Sequence, residues 1–169
     1  MSKEDLDTTM NNLKNPQKEV ALKAIKSISS KKENALPTLR HTLQSSEDED
    51  LVTMALVTLG EIGRIAKPAI PEVHVKLAHP NSQIRMAAAL FFVRLGKASI
   101  QPLKDSLQNS SNLNEQFWAC WALAMIDSKK VNQKGQSILI EVEAKTDDLI
   151  EKAAAQEALA KIIGLELHE

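Results

Sequence analysis

The chain has 169 residues, 43% hydrophobic and 25% charged, a globular balance that excludes a disordered or collagen-like chain. With 5 Gly, 6 Pro, 3% aromatic residues and no Tyr, it lacks the turn and strand formers of a sandwich or barrel. Its 21 basic and 22 acidic side chains leave a net charge of −1, without the basic excess usual in phosphate binders, and the single Cys120 excludes an intramolecular disulfide framework or a Cys-based zinc site.

The predicted elements are all helices. The first pair falls over 3–14 and 16–29. The second covers 34–45 and 48–63, with Leu36, Leu39 and Leu43 at i, i+3, i+7 on its first helix. Ile70, Val73 and Leu77 repeat that spacing over 67–78, ahead of a helix at 81–96. Ile100, Leu103 and Leu107 repeat it over 98–109, ahead of a helix at 113–127. The last pair falls over 132–145 and 147–163. Pro37, Pro71 and Pro102 sit in first turns, where a missing N–H costs little. Ser45-Ser46-Glu47-Asp48, His79-Pro80-Asn81-Ser82 and Asn109-Ser110-Ser111-Asn112 supply turns and N-caps.

The pairs are copies of one unit. Ile25, Leu59, Phe92, Leu123 and Leu159 occupy one column, spaced by 34, 33, 31 and 36 residues. A single helical hairpin of this size cannot bury its own apolar stripe. Stacked hairpins can, and they give an all-α solenoid with a continuous core. One domain of about five hairpins is expected, with units near 1–33, 34–66, 67–97, 98–130 and 131–169.

The second copy, Asp50-Leu51-Val52-Thr53-Met54-Ala55-Leu56-Val57-Thr58-Leu59-Gly60-Glu61-Ile62-Gly63, resembles the second helix of a HEAT repeat. It is most similar to the bacterial HEAT-like repeats first noted in phycobilisome lyase subunits. The connector Gly63 to Pro71 is similar to those of such arrays, and Ile84-Arg85 followed by Ala87-Ala88-Ala89 matches the family's Val-Arg…Ala-Ala helix start. The resemblance covers 34–127 well and the two ends weakly. It implies a right-handed α-α superhelix with first helices convex and second helices concave, and it implies protein binding rather than catalysis. The motif is architectural and carries no lyase activity with it. The family's apolar slot before Arg holds Glu115 in the fourth copy and Glu151 in the fifth, so those helix starts are expected to be displaced or more solvated.

On a concave face, the outward slots of the central second helices hold Val57, Leu90 and Trp121 in one row and Met86 and Phe117 in another. These five form the candidate partner-binding strip for a peptide or an amphipathic helix. The alternative placement turns Phe117 and Trp121 into the core, and the residues alone leave both open. The same strip is open to self-association as a homodimer. Trp118 is expected in the core, Cys120 is expected to be a buried thiol, and Arg85 is expected to bond carbonyls or an acid in an inter-helix turn.

No catalytic constellation is visible: no Gly-x-Ser-x-Gly, no phosphate-cradling glycine loop and no His-Glu-x-x-His. The expectation is a non-enzymatic scaffold or adaptor without cofactor or metal. His41, His74 and His79 read as surface histidines. The His168-Glu169 pair is similar to one motif of the HEAT-repeat di-iron hydroxylases, which need several. Two alternatives stand beside the scaffold. One is a nucleic-acid-binding solenoid, using Lys14, Lys18, Lys23, Lys26, Lys31 and Lys32 with Arg64, Arg85 and Arg94. The other is an accessory subunit or chaperone of a modifying enzyme such as a chromophore lyase. The acidic run Glu47-Asp48-Glu49-Asp50 suits the positive end of a helix, or a basic partner. Met1 to Asp5 leads into no apolar core of signal-peptide length, and the longest apolar run, Met86 to Val93, is too short for a bilayer. Leu165 to Glu169 matches no lipidation or retention signal, so a cytoplasmic location away from membranes is expected.

Overall fold

A computed structural model describes residues 3–166, and His168 and Glu169 lie outside them. Among the described residues there are ten α-helices and no strand. They alternate as five hairpins: α1 (Lys3–Asn11) with α2 (Lys18–Ser29), α3 (Leu36–Ser45) with α4 (Glu49–Ile62), α5 (Ile70–Lys76) with α6 (Ser82–Leu95), α7 (Ile100–Asn109) with α8 (Leu113–Asp127), and α9 (Gln133–Lys145) with α10 (Leu149–Glu166). No helix among the described residues is long and apolar enough to cross a membrane.

Local chemistry sets the ends. Asp48, Asn81, Asn112, Asn132 and Asp148 each accept a backbone N–H in the first turn of α4, α6, α8, α9 and α10, satisfying donors the helix cannot. Gly63 (φ 68°) and Gly96 (φ 71°) end α4 and α6 in the left-handed region, which costs a side chain strain and a glycine little. Where a first helix was expected from residue 67, a 3₁₀ stretch runs over Gly63–Ala69 and α5 begins only at Ile70. Pro68 lies inside that stretch and withholds a backbone donor.

The hairpins contact one another in series. Along the second helices, α2 packs on α4, α4 on α6, α6 on α8 and α8 on α10. Polar links follow the same step. Lys14 bonds Asp48, Arg40 bonds Glu72 at 2.7 Å, Asn81 bonds Glu49 at 2.7 Å, Arg94 bonds Glu61, and Trp121 Nε1 donates to Glu157 at 3.2 Å. These partners lie 32 to 36 residues apart, one repeat each. Buried apolar side chains form one cluster from Met10 to Ile162.

The contacts between α6 and α10, among them a bond from Ser82 to Asp148, skip a hairpin. Arg85 on α6 and Glu151 on α10 are 66 residues apart in sequence, two repeats, yet meet at 2.5 Å with both side chains buried. Beneath this bridge, α8 has α6, α7, α9 and α10 all packed on it. Its eight consecutive residues from Phe117 to Ala124 are buried, as suits a helix that is apolar all round. The expected solvation of the α10 start is therefore corrected. Glu151 is buried because it is neutralised by Arg85 and also accepts from Thr146 Oγ1 at 2.9 Å. Glu115 is half-buried and accepts from Ser110 Oγ at 2.9 Å.

Candidate binding groove

The α10 start reaches α6 across α8, and an apolar groove lies along that junction. It encloses about 560 Å³. Met86 and Leu90 of α6 line one side, and Leu149, Ile150 and Ala153 of α10 line the other. Trp118 and Trp121 of α8 line it between them, and Glu157 is its one charged lining residue. Leu90 is 39% exposed and Leu149 81%.

Three of the five strip residues meet here. Met86 is half-buried, Leu90 is open, and Trp121, only 6% exposed, lines the groove with its indole N–H held by Glu157. Phe117 is in the core at 1% exposure, stacked edge-to-face on Trp118 at 5.1 Å. At that exposure it cannot touch a partner while the fold is intact. Val57 is half-buried against the core and outside the groove. Leu149, Ile150 and Ala153 were missed in sequence. The slot of Met86 recurs at Ala153, too small to suggest a wall, and Leu149 precedes the repeat's apolar pattern.

Trp118 is fully buried, and its indole N–H has no acceptor among the described residues. Trp118 and Trp121 rings meet edge-to-face at 5.7 Å, so the thin exposed edge of Trp121 on the groove floor is backed by the buried Trp118 ring.

The remaining chemistry-bearing residues are engaged elsewhere. Arg85 donates from Nη1 to the His79 and Pro80 carbonyls, each at 2.7 Å, besides its bond to Glu151. Burial pushes the Cys120 thiol up to about 12, far from a thiolate at neutral pH. His74 bonds Ser106 and lies 3.4 Å from Glu115, while His41 lies 3.4 Å from Ser45. Among the described residues no three His, Cys, Asp or Glu side chains gather as a metal site. In the acidic run, Asp48 caps α4 and bonds Lys14, and Glu49 accepts from Asn81.

No family model matches the chain. It is 30% identical over 164 residues to the uncharacterized protein SkfG of Bacillus subtilis (strain 168), a match that covers 97% of this chain and 94% of the relative. The chain belongs to the SkfG family. The match runs over nearly the whole of both chains, so the likeness is not confined to one hairpin. In this SkfG-family chain a second hollow, of about 460 Å³, lies between α2 and α4. Leu22, Ile25 and Met54 line it together with the charged Lys14, Lys18 and Asp50. The α6–α10 groove differs in being almost wholly apolar.

Proposed function

We propose that the chain is a HEAT-like solenoid acting as a non-catalytic binding module, taking an amphipathic helix or peptide of a partner protein in the α6–α10 groove. The observation that carries this reading is the groove itself, about 560 Å³ walled by Met86, Leu90, Leu149, Ile150 and Ala153 over an aromatic floor. Concave apolar surface with a few polar groups is what ligand and peptide sites share. The one-repeat step of the inter-hairpin links supports the solenoid, whose second helices would form the concave side. A helix laid between α6 and α10 would set anchors at i, i+3 or i+4, and i+7 over Leu90, Trp121 and Leu149. A largely preformed groove loses little entropy on binding. A cytoplasmic location goes with this reading.

Nucleic acid is the weaker reading. Of the cations a phosphate track would use, Arg85 is held by Glu151, Arg94 by Glu61 and Lys14 by Asp48.

The test is selection of displayed peptides on the wild-type chain, followed by re-testing on Leu90→Asp and Leu149→Asp. Helical peptides with apolar 3–4 spacing, bound by wild type and at least tenfold weaker on both variants, are the expected result. Selected peptides that bind all three chains equally would count against the groove.

A further inference from the structure

We propose that the outer face of α10 is a self-association surface, joining two copies of this chain through the fifth hairpin. Leu149, Ala153, Gln156, Ala160 and Ile163 are all exposed, at 81% for Leu149 and 53% for Ile163. They follow one another by four, three, four and three residues, the spacing of a helix–helix seam. Ala154, Ala155, Ala158 and Ile162 hold the opposite side of α10 in the core. The stripe therefore lies opposite the core side of α10, its Leu149–Ala153 end also bordering the groove, along a helix about 27 Å long at 1.5 Å per residue.

The repeat says what kind of object such a face receives. Thirty-six residues earlier, on α8, the equivalents of Ala153, Gln156 and Ala160 are Phe117, Cys120 and Ala124. All three are buried. Cys120 lies so close to α9 that a Cβ on Gly135 would sit 2.8 Å from its Sγ. On α8 the middle of this face is thus buried, with Cys120 against α9, while Leu113, the equivalent of Leu149, is 45% exposed. On α10 it is open and still apolar, with alanines that permit close approach. A helix is the occupant the geometry suits.

Charge selects a second copy of α10. Lys152 flanks one edge of the stripe and Glu157 the other, both exposed. Across a seam between two parallel helices these opposite edges meet, so each copy's lysine faces the other's glutamate. The twofold axis makes the contact self-complementary and closed. Head-to-tail stacking would instead press this stripe on α2, whose exposed residues are Lys18, Glu19, Lys23 and Lys26 around the single apolar Leu22. Burying those charges unpaired is costly, so a filament is disfavoured.

The experiment is sedimentation equilibrium up to about 500 µM, a range that reveals even a small interface, with disulfide trapping alongside. Cys120 is buried, so an added surface thiol reports by itself. The wild-type chain is expected to show a monomer–dimer equilibrium. Leu149→Glu and Ile163→Glu, both at exposed positions, should stay monomeric with unchanged helicity. Leu90→Asp, in the groove but off the stripe, should dimerise as wild type. Leu149→Cys and Gln156→Cys should each trap a covalent dimer, and Lys23→Cys should not. A wild-type chain that remains monomeric at the highest concentration overturns the proposal. So does a dimer that survives Ile163→Glu, or trapping through Lys23→Cys in place of Leu149→Cys.

Discussion

Arg85 and Glu151 stand 66 residues apart in the chain and 2.5 Å apart in the fold, each with about a tenth or less of its side chain exposed. The pair ties the start of the fifth hairpin to the third, over the top of the fourth. Arg85 also holds the His79 and Pro80 carbonyls, so one guanidinium joins the turn before α6 to the first turn of α10. Desolvating two charges is costly, and a buried pair of this kind contributes less to net stability than to the choice of partner. Removing one member leaves the other charge uncompensated. Glu151→Gln or Arg85→Ala is expected to cost about 3–5 kcal/mol in denaturant unfolding. Arg85→Met with Glu151→Leu should recover much of that loss. A single variant as stable as wild type would mean that α10 is not held to α6 in solution.

Cys120 and Gly135 meet where α8 and α9 pack. A Cβ on Gly135 would lie 2.8 Å from Cys120 Sγ and 2.9 Å from Val131 Cγ1. Gly135→Ala is expected to destabilise by about 1–3 kcal/mol through overpacking. Part of that cost should vanish in the Cys120→Ala background, where the Sγ is gone. A double-mutant cycle by urea unfolding measures this coupling, and additive losses would place the strain elsewhere.

Acid should loosen the turn before α6. His79 Nδ1 accepts from the Asn81 N–H at 3.1 Å, which a protonated nitrogen cannot do. Burial, and then the charges of Lys76 and Arg85, hold the His79 pKa below its ordinary 6.5, against the opposing pull of Glu49. The unfolded chain therefore takes up the proton more readily. The contribution to stability is present above the ordinary value of 6.5 and is lost as pH falls through the lower folded value. A second loss of the same sign follows in the carboxylate range. Asp148 is held low first by its bond from Ser82, and Glu72 first by its bond from Arg40. Thermal melts should show Tm falling in two stages from pH 7 downward, with the first stage absent in His79→Gln. A first stage unchanged in that variant would assign it to another group.

Groove walls and the aromatic side chains buried on α8 should separate in their effect on folding. Leu90 and Leu149 are open, so Leu90→Asp and Leu149→Asp should change stability by no more than about 0.5 kcal/mol. Phe117 and Trp121 are closed in, and their replacement by Ala should cost about 3–5 kcal/mol. Equal losses at all four positions, read by denaturant midpoints, would mean the walls are core as well.

Much of this architecture was legible in the residues. The apolar column fixed the five second helices, and the capping Asp and Asn residues fixed most starts within a residue or two. The relation between hairpins three and five was not legible. Glu151 occupies a slot that is apolar at Ile84, so locally it reads as a polar intrusion that should pull its helix toward water. Its counter-charge is two repeats away, and no local pattern points to it. Phe117, whose slot suggested the open strip, lies in the core against Trp118 on a helix that α6, α7, α9 and α10 all contact. The contact of α10 with α6 is what makes Leu149 and Ala153, unremarkable in sequence, groove walls.

A partner polypeptide seated in the α6–α10 groove, as proposed, would lie within reach of a crosslinker placed there. Photo-crosslinking from inside the living cell tests that placement most directly. A photoreactive phenylalanine analogue would replace Leu90 in the groove or Val75 on α5, which is 67% exposed and equally apolar. An adduct with another polypeptide is expected from position 90, none from position 75, and loss of the adduct when Met86→Asp is added. Adducts of equal yield from both positions, or none from position 90, would contradict that placement.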